Sequence, residues 1–157
     1  MDTIMLSLDT SSKKTGYALF ENGVLSDYGL IECTEKEMEI RFKKMALALW
    51  EKISHYSPAI VVIEETVVIR NPQTQRFLTR LQGIIYAWCM LHNAEFITLR
   101  PTEWRSAVGI NSYHKKREVL KQEAIVLVSK NHPEVLDVND DTAESILIGD
   151  ALLNMRK

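Results

Sequence analysis

Cysteine is scarce in this 157-residue chain: Cys33 and Cys89 stand far apart, with no metal-ligand spacing around either. A disulfide framework and a thiolate zinc centre are excluded, and two free thiols fit a reducing, cytoplasmic setting. No apolar run approaches the ~20 residues that a membrane span needs. The opening residues carry an acid at Asp2 and no basic run, which excludes a signal peptide. Six glycines are scattered and never cluster, so a glycine-rich phosphate loop is missing as well. There is no repeat, low-complexity stretch or linker. What remains is a globular composition, 46% apolar and 25% charged, of a size that suits one domain over residues 1–157 and needs no covalent staple.

Acid is also missing locally. From Thr66 to Ala94 there is none, and residues 66–121 carry a net charge of +6 between flanks of −4 each, beneath an overall charge of −2. A basic middle with carboxylates on either side allows a polyanionic partner despite the neutral average.

The pattern predicts three opening strands. Ile4 to Leu8 ends at Asp9, Gly16 to Phe20 follows, and the Asn22-Gly23 turn leads into Val24 to Glu32 as an antiparallel meander. Thr34, followed by acids, marks a helix start. Met38, Phe42, Met45, Leu49, Ile53 and Tyr56 then form one apolar stripe that ends at Ser57-Pro58. Ala59 to Ile63 is short, apolar and β-branched, as in a central strand buried on both faces. Asn71-Pro72 is an N-cap with proline at the first helical position. That helix runs to about Asn93 with two stripes, one of Leu78, Leu81, Ile85 and Trp88, the other of Phe77, Ile84 and Leu91. A second apolar stripe is buried deep in the fold or meets another subunit. Glu95 to Leu99 is a fifth strand, followed by helices opening at Pro101, Lys115 and Asp141. The fold class is α/β, a mixed sheet flanked by helices.

Four acidic residues stand out, two of them at strand ends, where sheets of this class gather ligands. Asp9 ends the first strand, Glu64 ends the fourth, and Asp141 and Glu144 share one face of the last helix. If strands one and four are parallel neighbours, Asp9 and Glu64 lie side by side. Clustered carboxylates repel, and a hard divalent cation such as Mg²⁺ relieves that repulsion; two ions ~4 Å apart can act on a phosphodiester. Local alternatives stand beside this reading. Asp9 fits an Asx-turn, and Asp141 to Glu144 has capping-box spacing. Glu64 and Glu65 point to opposite faces, so one of them joins a site.

The ordered set of motifs resembles one family. Leu6-Ser7-Leu8-Asp9-Thr10-Ser11-Ser12, continuing to Gly16-Tyr17, is similar to the opening of RuvC-type Holliday junction resolvases. So are Tyr28 to Glu32, Ser57 to Glu65 with its glutamate, and Asp141 to Leu147. The resemblance spans essentially the whole chain. It implies a ribonuclease-H-like five-stranded mixed sheet and a cytoplasmic, DNA-associated homodimer that cuts branched DNA, four-way junctions especially. It also implies Mg²⁺ as cofactor, with Mn²⁺ able to substitute and two ions per site. By position, Asp9, Glu64, Asp141 and Glu144 are the implied catalytic metal ligands, with Glu144 where aspartate is common. Arg105 and Lys116 fall at phosphate-binding positions. Lys115, Arg117, Arg70, Arg76 and Arg80 are further DNA-binding candidates, and Tyr113 or Phe77 is a candidate for stacking on a base. Val67 replaces an aromatic of the cellular enzymes, while compact length and Glu144 lean toward a bacteriophage member. His55, His92 and His132 read as structural or surface residues. Two other classes compete: a phosphate-binding protein of the actin-like and sugar-kinase superfamily, and a catalytically silent junction-binding dimer.

Overall fold

The computed structural model describes residues 2–67 and 71–157. Ten elements follow one another: β1 (Ile4–Asp9), β2 (Lys14–Glu21), β3 (Val24–Glu32), α1 (Met38–Tyr56), β4 (Ile60–Glu64), α2 (Pro72–Leu91), β5 (Glu95–Leu99), α3 (Pro101–Ala107), α4 (Arg117–Asn131) and α5 (Asp140–Met155). The strands form one sheet in the order β3-β2-β1-β4-β5. β1, β2 and β3 pair antiparallel, and Asn22 and Gly23 take the positive φ that a tight hairpin needs. β4 pairs parallel with both β1 and β5.

The two-residue period of the strands divides the core into two layers. Leu6 and Leu8 of β1, with Val61 and Ile63 of β4, face α1 and α2, where Met45, Leu49, Ile53, Leu81, Ile85 and Trp88 pack. Met5 and Val62 face α3, α4 and α5, against Trp104, Leu120, Ile146 and Leu147. β4 is buried on both faces because it lies inside the sheet with a helical layer on each side.

Helix α5 rests directly on β1 and β2 because small residues line the contact. The Ser7 hydroxyl donates to the Ser145 carbonyl at 2.6 Å, and the Thr142 hydroxyl donates to the Gly29 carbonyl at 3.1 Å. A Cβ on Gly16 would stand 2.1 Å from the Asp141 carbonyl oxygen, and one on Gly149 would stand 2.2 Å from the Phe20 ring. Farther along, His132 bonds Asp150 at 2.8 Å and ties the end of α4 to α5, a structural role.

Four local expectations are corrected. Thr34 does not start α1. The N-cap is Glu37, without a side-chain cap, because the buried Arg41 guanidinium reaches back to the carbonyls of Ser12, Glu35 and Lys36 and holds that approach outside the helix. α4 begins at Arg117 rather than Lys115, with Lys116 as N-cap. The cap of α5 is Asn139, whose side chain accepts from the Thr142 N–H at 2.8 Å, so Asp141 lies inside the helix and is not a capping residue. On α2, Phe77 is core, edge-on to Phe42 at 5.2 Å, and Ile84 packs partly against that core; of the second stripe Leu91 alone is openly exposed, at 74%. The predicted cap of α2 is present: Asn71 accepts from the N–H groups of Gln73 and Thr74.

Gly16→Ala should force α5 off the sheet and lower stability by about 1–3 kcal/mol, the usual cost of overpacking a tight contact. Urea unfolding checks this, with Gly83→Ala, where nothing lies within 4 Å of an added Cβ, as the control.

Candidate active site

The sheet register delivers two carboxylates to one edge. Leu8 pairs with Ile63 across the parallel β1–β4 ladder, so the next residues, Asp9 and Glu64, emerge together at the carboxyl ends of both strands. Both continue the face of Met5, Ser7 and Val62, the face that α5 covers. Glu65 does not join them; its backbone N–H donates to the Leu99 carbonyl, and it lies at the rim of the cleft. α5 brings Glu144 from above. Carboxylate atoms of Asp9, Glu64 and Glu144 lie within 4.8 Å of one another. Asp141, one turn earlier on α5, lines the same cleft outside this tightest group and acts electrostatically on Asp9.

Burial and mutual repulsion set the protonation of the cluster. Burial, then the charges of Glu144, Glu64 and Asp141, push the Asp9 carboxyl well above the usual range. Burial also raises Glu64, opposed by a hydrogen bond from Trp104 and the charges of Arg105 and Arg117. Glu144 is raised by burial and by Glu64, and opposed by a hydrogen bond with Asp9 and by Arg105. Burial and then Asp140 raise Asp141, against Lys121, Lys14 and Arg117. Burial and mutual repulsion thus favour the protonated form of Asp9 and Glu144. The donor set is all carboxylate oxygen, the chemistry of a hard divalent cation, and the repulsion within it is what such a cation removes.

The basic candidates separate by position. A cleft of about 480 Å³ is lined by the four acids and by Arg105, Lys115 and Arg117. Arg105 is mostly buried, 3.9 Å from Glu144 Oε1, with its guanidinium over the Trp104 ring at 4.8 Å. Lys115 pairs with Glu123 at 2.7 Å, and exposed Lys116 caps α4 beside the cleft. Arg76 and Arg80 line a separate hollow between the starts of α1 and α2, with Glu37 and Glu39. Arg70 lies outside the described residues. Phe77 is in the core and therefore cannot stack on a base, whereas Tyr113 is exposed against His114 at 4.0 Å. Trp104 went unrecognised because a lone indole between Glu103 and Arg105 carries no motif of its own, and nothing local reveals a carboxylate partner forty residues away.

A ribonuclease-H-like sheet with a buried acidic cluster where its parallel strands end defines a class, the metal-dependent nucleases of that fold. A family model described as Crossover junction endodeoxyribonuclease RuvC matches residues 5–147. The chain belongs to that family and is an endodeoxyribonuclease. It is 28% identical over 148 residues to the crossover junction endodeoxyribonuclease RuvC of Alkaliphilus metalliredigens, covering 91% of this chain and 90% of that one. It is 29% identical over 150 residues to that of Brachyspira hyodysenteriae, covering 92% and 90%. In fold it is similar to Thermus thermophilus RuvC in complex with Holliday junction substrate, with a TM-score of 0.76 at 11% identity over 98% of this chain and 94% of that one. Family membership displaces the phosphate-binding and catalytically silent alternatives. No helix among the described residues is long and apolar enough to cross a membrane.

The raised carboxylates set a pH dependence for the metal-free protein. The folded state holds these protons more tightly than the unfolded chain, whose carboxyls titrate near ~4. Their stabilising share is therefore complete below that pH and is lost as pH rises through the folded values. Asp9→Asn should consequently melt higher than wild type at neutral pH, by about 2–4 °C for each kcal/mol of repulsion removed. The gap should close toward pH 4. Thermal melts in a chelator across that range measure it.

Proposed function

We propose that this protein resolves four-way DNA junctions, and other branched DNA, by paired Mg²⁺-dependent phosphodiester hydrolysis, one cut per subunit of a homodimer. The observation that carries the reading is the convergence of Asp9, Glu64 and Glu144 within 4.8 Å in a cleft that also holds cations. In this reading the four acids are the catalytic metal ligands, and residues 1–157 act as one nuclease domain in the cytoplasm, on DNA. Mg²⁺ is the cofactor, two ions per site, and Mn²⁺ can replace it. Bound there, the ions supply neutralising charge and an activated water for attack at phosphorus. The chain's own residues do the rest. Lys115, Lys116 and Arg117 meet phosphate at the start of α4, where backbone N–H groups and the helix dipole also favour anions. Arg105 contributes charge from the cleft wall. Arg76 tracks the DNA backbone farther out, and Arg70 is a further backbone-binding candidate from the sequence; such contacts position the duplex without reading its bases.

Cleavage and binding of a synthetic four-way junction test the reading. Asp9→Asn, Glu64→Gln and Asp141→Asn should each abolish nicking in Mg²⁺ while leaving junction binding in chelator unchanged or tighter. Lys116→Ala should weaken binding to all junction sequences alike and flatten its salt dependence by about one counterion. Near-wild-type nicking by Glu64→Gln would remove Glu64 from the assignment, and a defect that moved to Glu65→Gln would correct it.

A junction offers two symmetric strands, and a C₂ dimer with two sites matches that symmetry. The half-exposed Tyr86 and the exposed Met90, one turn apart on the outer face of α2, support this helix as the contact. Met90→Glu should leave the fold intact by circular dichroism and produce a monomer by sedimentation, with uncoupled single nicks. A dimer that persists would place the contact elsewhere.

A further inference from the structure

Helix α3 carries a residue for which the carboxylate reading has no use. Trp104 is completely buried, yet its indole N–H is not satisfied by a backbone carbonyl: it donates to Glu64 Oε2 at 2.7 Å. Among the described residues it is the one hydrogen-bond donor that reaches this carboxylate. Its ring face meanwhile carries the Arg105 guanidinium at 4.8 Å, and that guanidinium lies 3.9 Å from Glu144 Oε1. One side chain therefore touches Glu64 with its edge and supports the neighbour of Glu144 with its face.

The placement is rigid. β5 pairs with β4 as far as Glu64 and Leu99. α3 starts at Pro101, two residues past Leu99, and is locked by Glu103, whose carboxylate accepts from the Arg100 backbone N–H at 3.0 Å and whose own N–H donates to the Arg100 carbonyl at 2.9 Å. The strand that ends in Glu64 and the helix that holds the indole are thus joined through a single strand pair and a tight cap. A glutamate has three side-chain torsions, and only a contact at its carboxylate restrains the last of them. An indole has a single donor and no acceptor, so it can hold one carboxylate oxygen while leaving the other open.

We propose that Trp104 is a positioning residue for the metal centre: its N–H holds Oε2 of Glu64 so that the other oxygen is presented to the divalent cation, and its ring holds Arg105 beside Glu144. This rests on the proposed role of Glu64 as a metal ligand. Residues that orient ligands in this way typically contribute a factor of about 10–100 to metal affinity.

The test uses Trp104→Phe, which keeps a ring and loses the donor, and a second variant with 3-benzothienylalanine at position 104, which keeps the bicyclic shape and still lacks the N–H. Thermal-shift titration with MgCl₂ in the absence of DNA gives the half-saturating Mg²⁺ concentration, and Mg²⁺ titration of junction nicking gives it again with substrate. Both variants should need about tenfold more Mg²⁺ or higher in both titrations, with junction binding in chelator unchanged. A wild-type Mg²⁺ midpoint in the benzothienyl variant overturns the inference. If Trp104→Phe fails to fold, the benzothienyl variant decides; if neither folds, Trp104 is a core residue and the inference is wrong. Glu64→Gln separates the two levels. Should it retain the wild-type midpoint, the ligand assignment itself falls; should it lose Mg²⁺ binding while both Trp104 variants keep it, only the positioning role falls.

Discussion

Everything in the site depends on how closely the backbone of α5 approaches the sheet. The Asp141 carbonyl lies so near Gly16 that the space for a single methyl group is missing, and the Ser7 and Thr142 hydroxyls tie the two surfaces together within that gap. Close-packed interiors transmit such distances, because neighbouring groups can shift only by fractions of an ångström without cost. Glu144 reaches Asp9 and Glu64 because of that approach. Its longer side chain, in a position where the family commonly has aspartate, still brings a carboxylate oxygen into the tight group, while Asp141 stands at the edge of it.

The cluster is costly to the apo fold. Three carboxylates are taken out of water next to one another; burial and their mutual charges push Asp9 and Glu144 toward the protonated form, and Arg105 stands alongside. Such tension is common where side chains are arranged for chemistry rather than for stability. Trp104 and Arg105 bring that arrangement into the hydrophobic layer: the same indole that packs with Met5, Val62 and Ile146 ends at the carboxylate of Glu64. Core and site are therefore continuous along α3, and the short helix does more than connect β5 to α4.

Local signals carried a large part of the fold. The Asn22-Gly23 hairpin, the apolar β4 run, the Asn71-Pro72 cap and the stripe through Met45, Leu49 and Ile53 are each governed by contacts within a few residues or by a simple period, and each appears where expected. The errors share a cause. Thr34 lost the start of α1 to Arg41, whose partners include Ser12, twenty-nine residues away. Asp141 had the spacing of a cap, but Asn139 holds that position. Phe77, a candidate for stacking on a base, is instead covered by Phe42 of α1.

The chain's sequence by itself determined the elements, the family, and which carboxylates stand at the ends of which strands, because residue type and period act over short distances and the order of motifs is written along the chain. Tertiary structure alone decided which of those carboxylates meet. It seated Glu64, the glutamate the resemblance implies, beside Asp9 through the β1–β4 register, and it drew Glu144 inward ahead of Asp141 through the seating of α5 on Gly16. It set Arg105, read as a phosphate-binding position, beside a buried acid, and made the buried Trp104 a donor to Glu64. Each of these outcomes depends on two segments distant in sequence, and no pattern within either segment contains the position of the other.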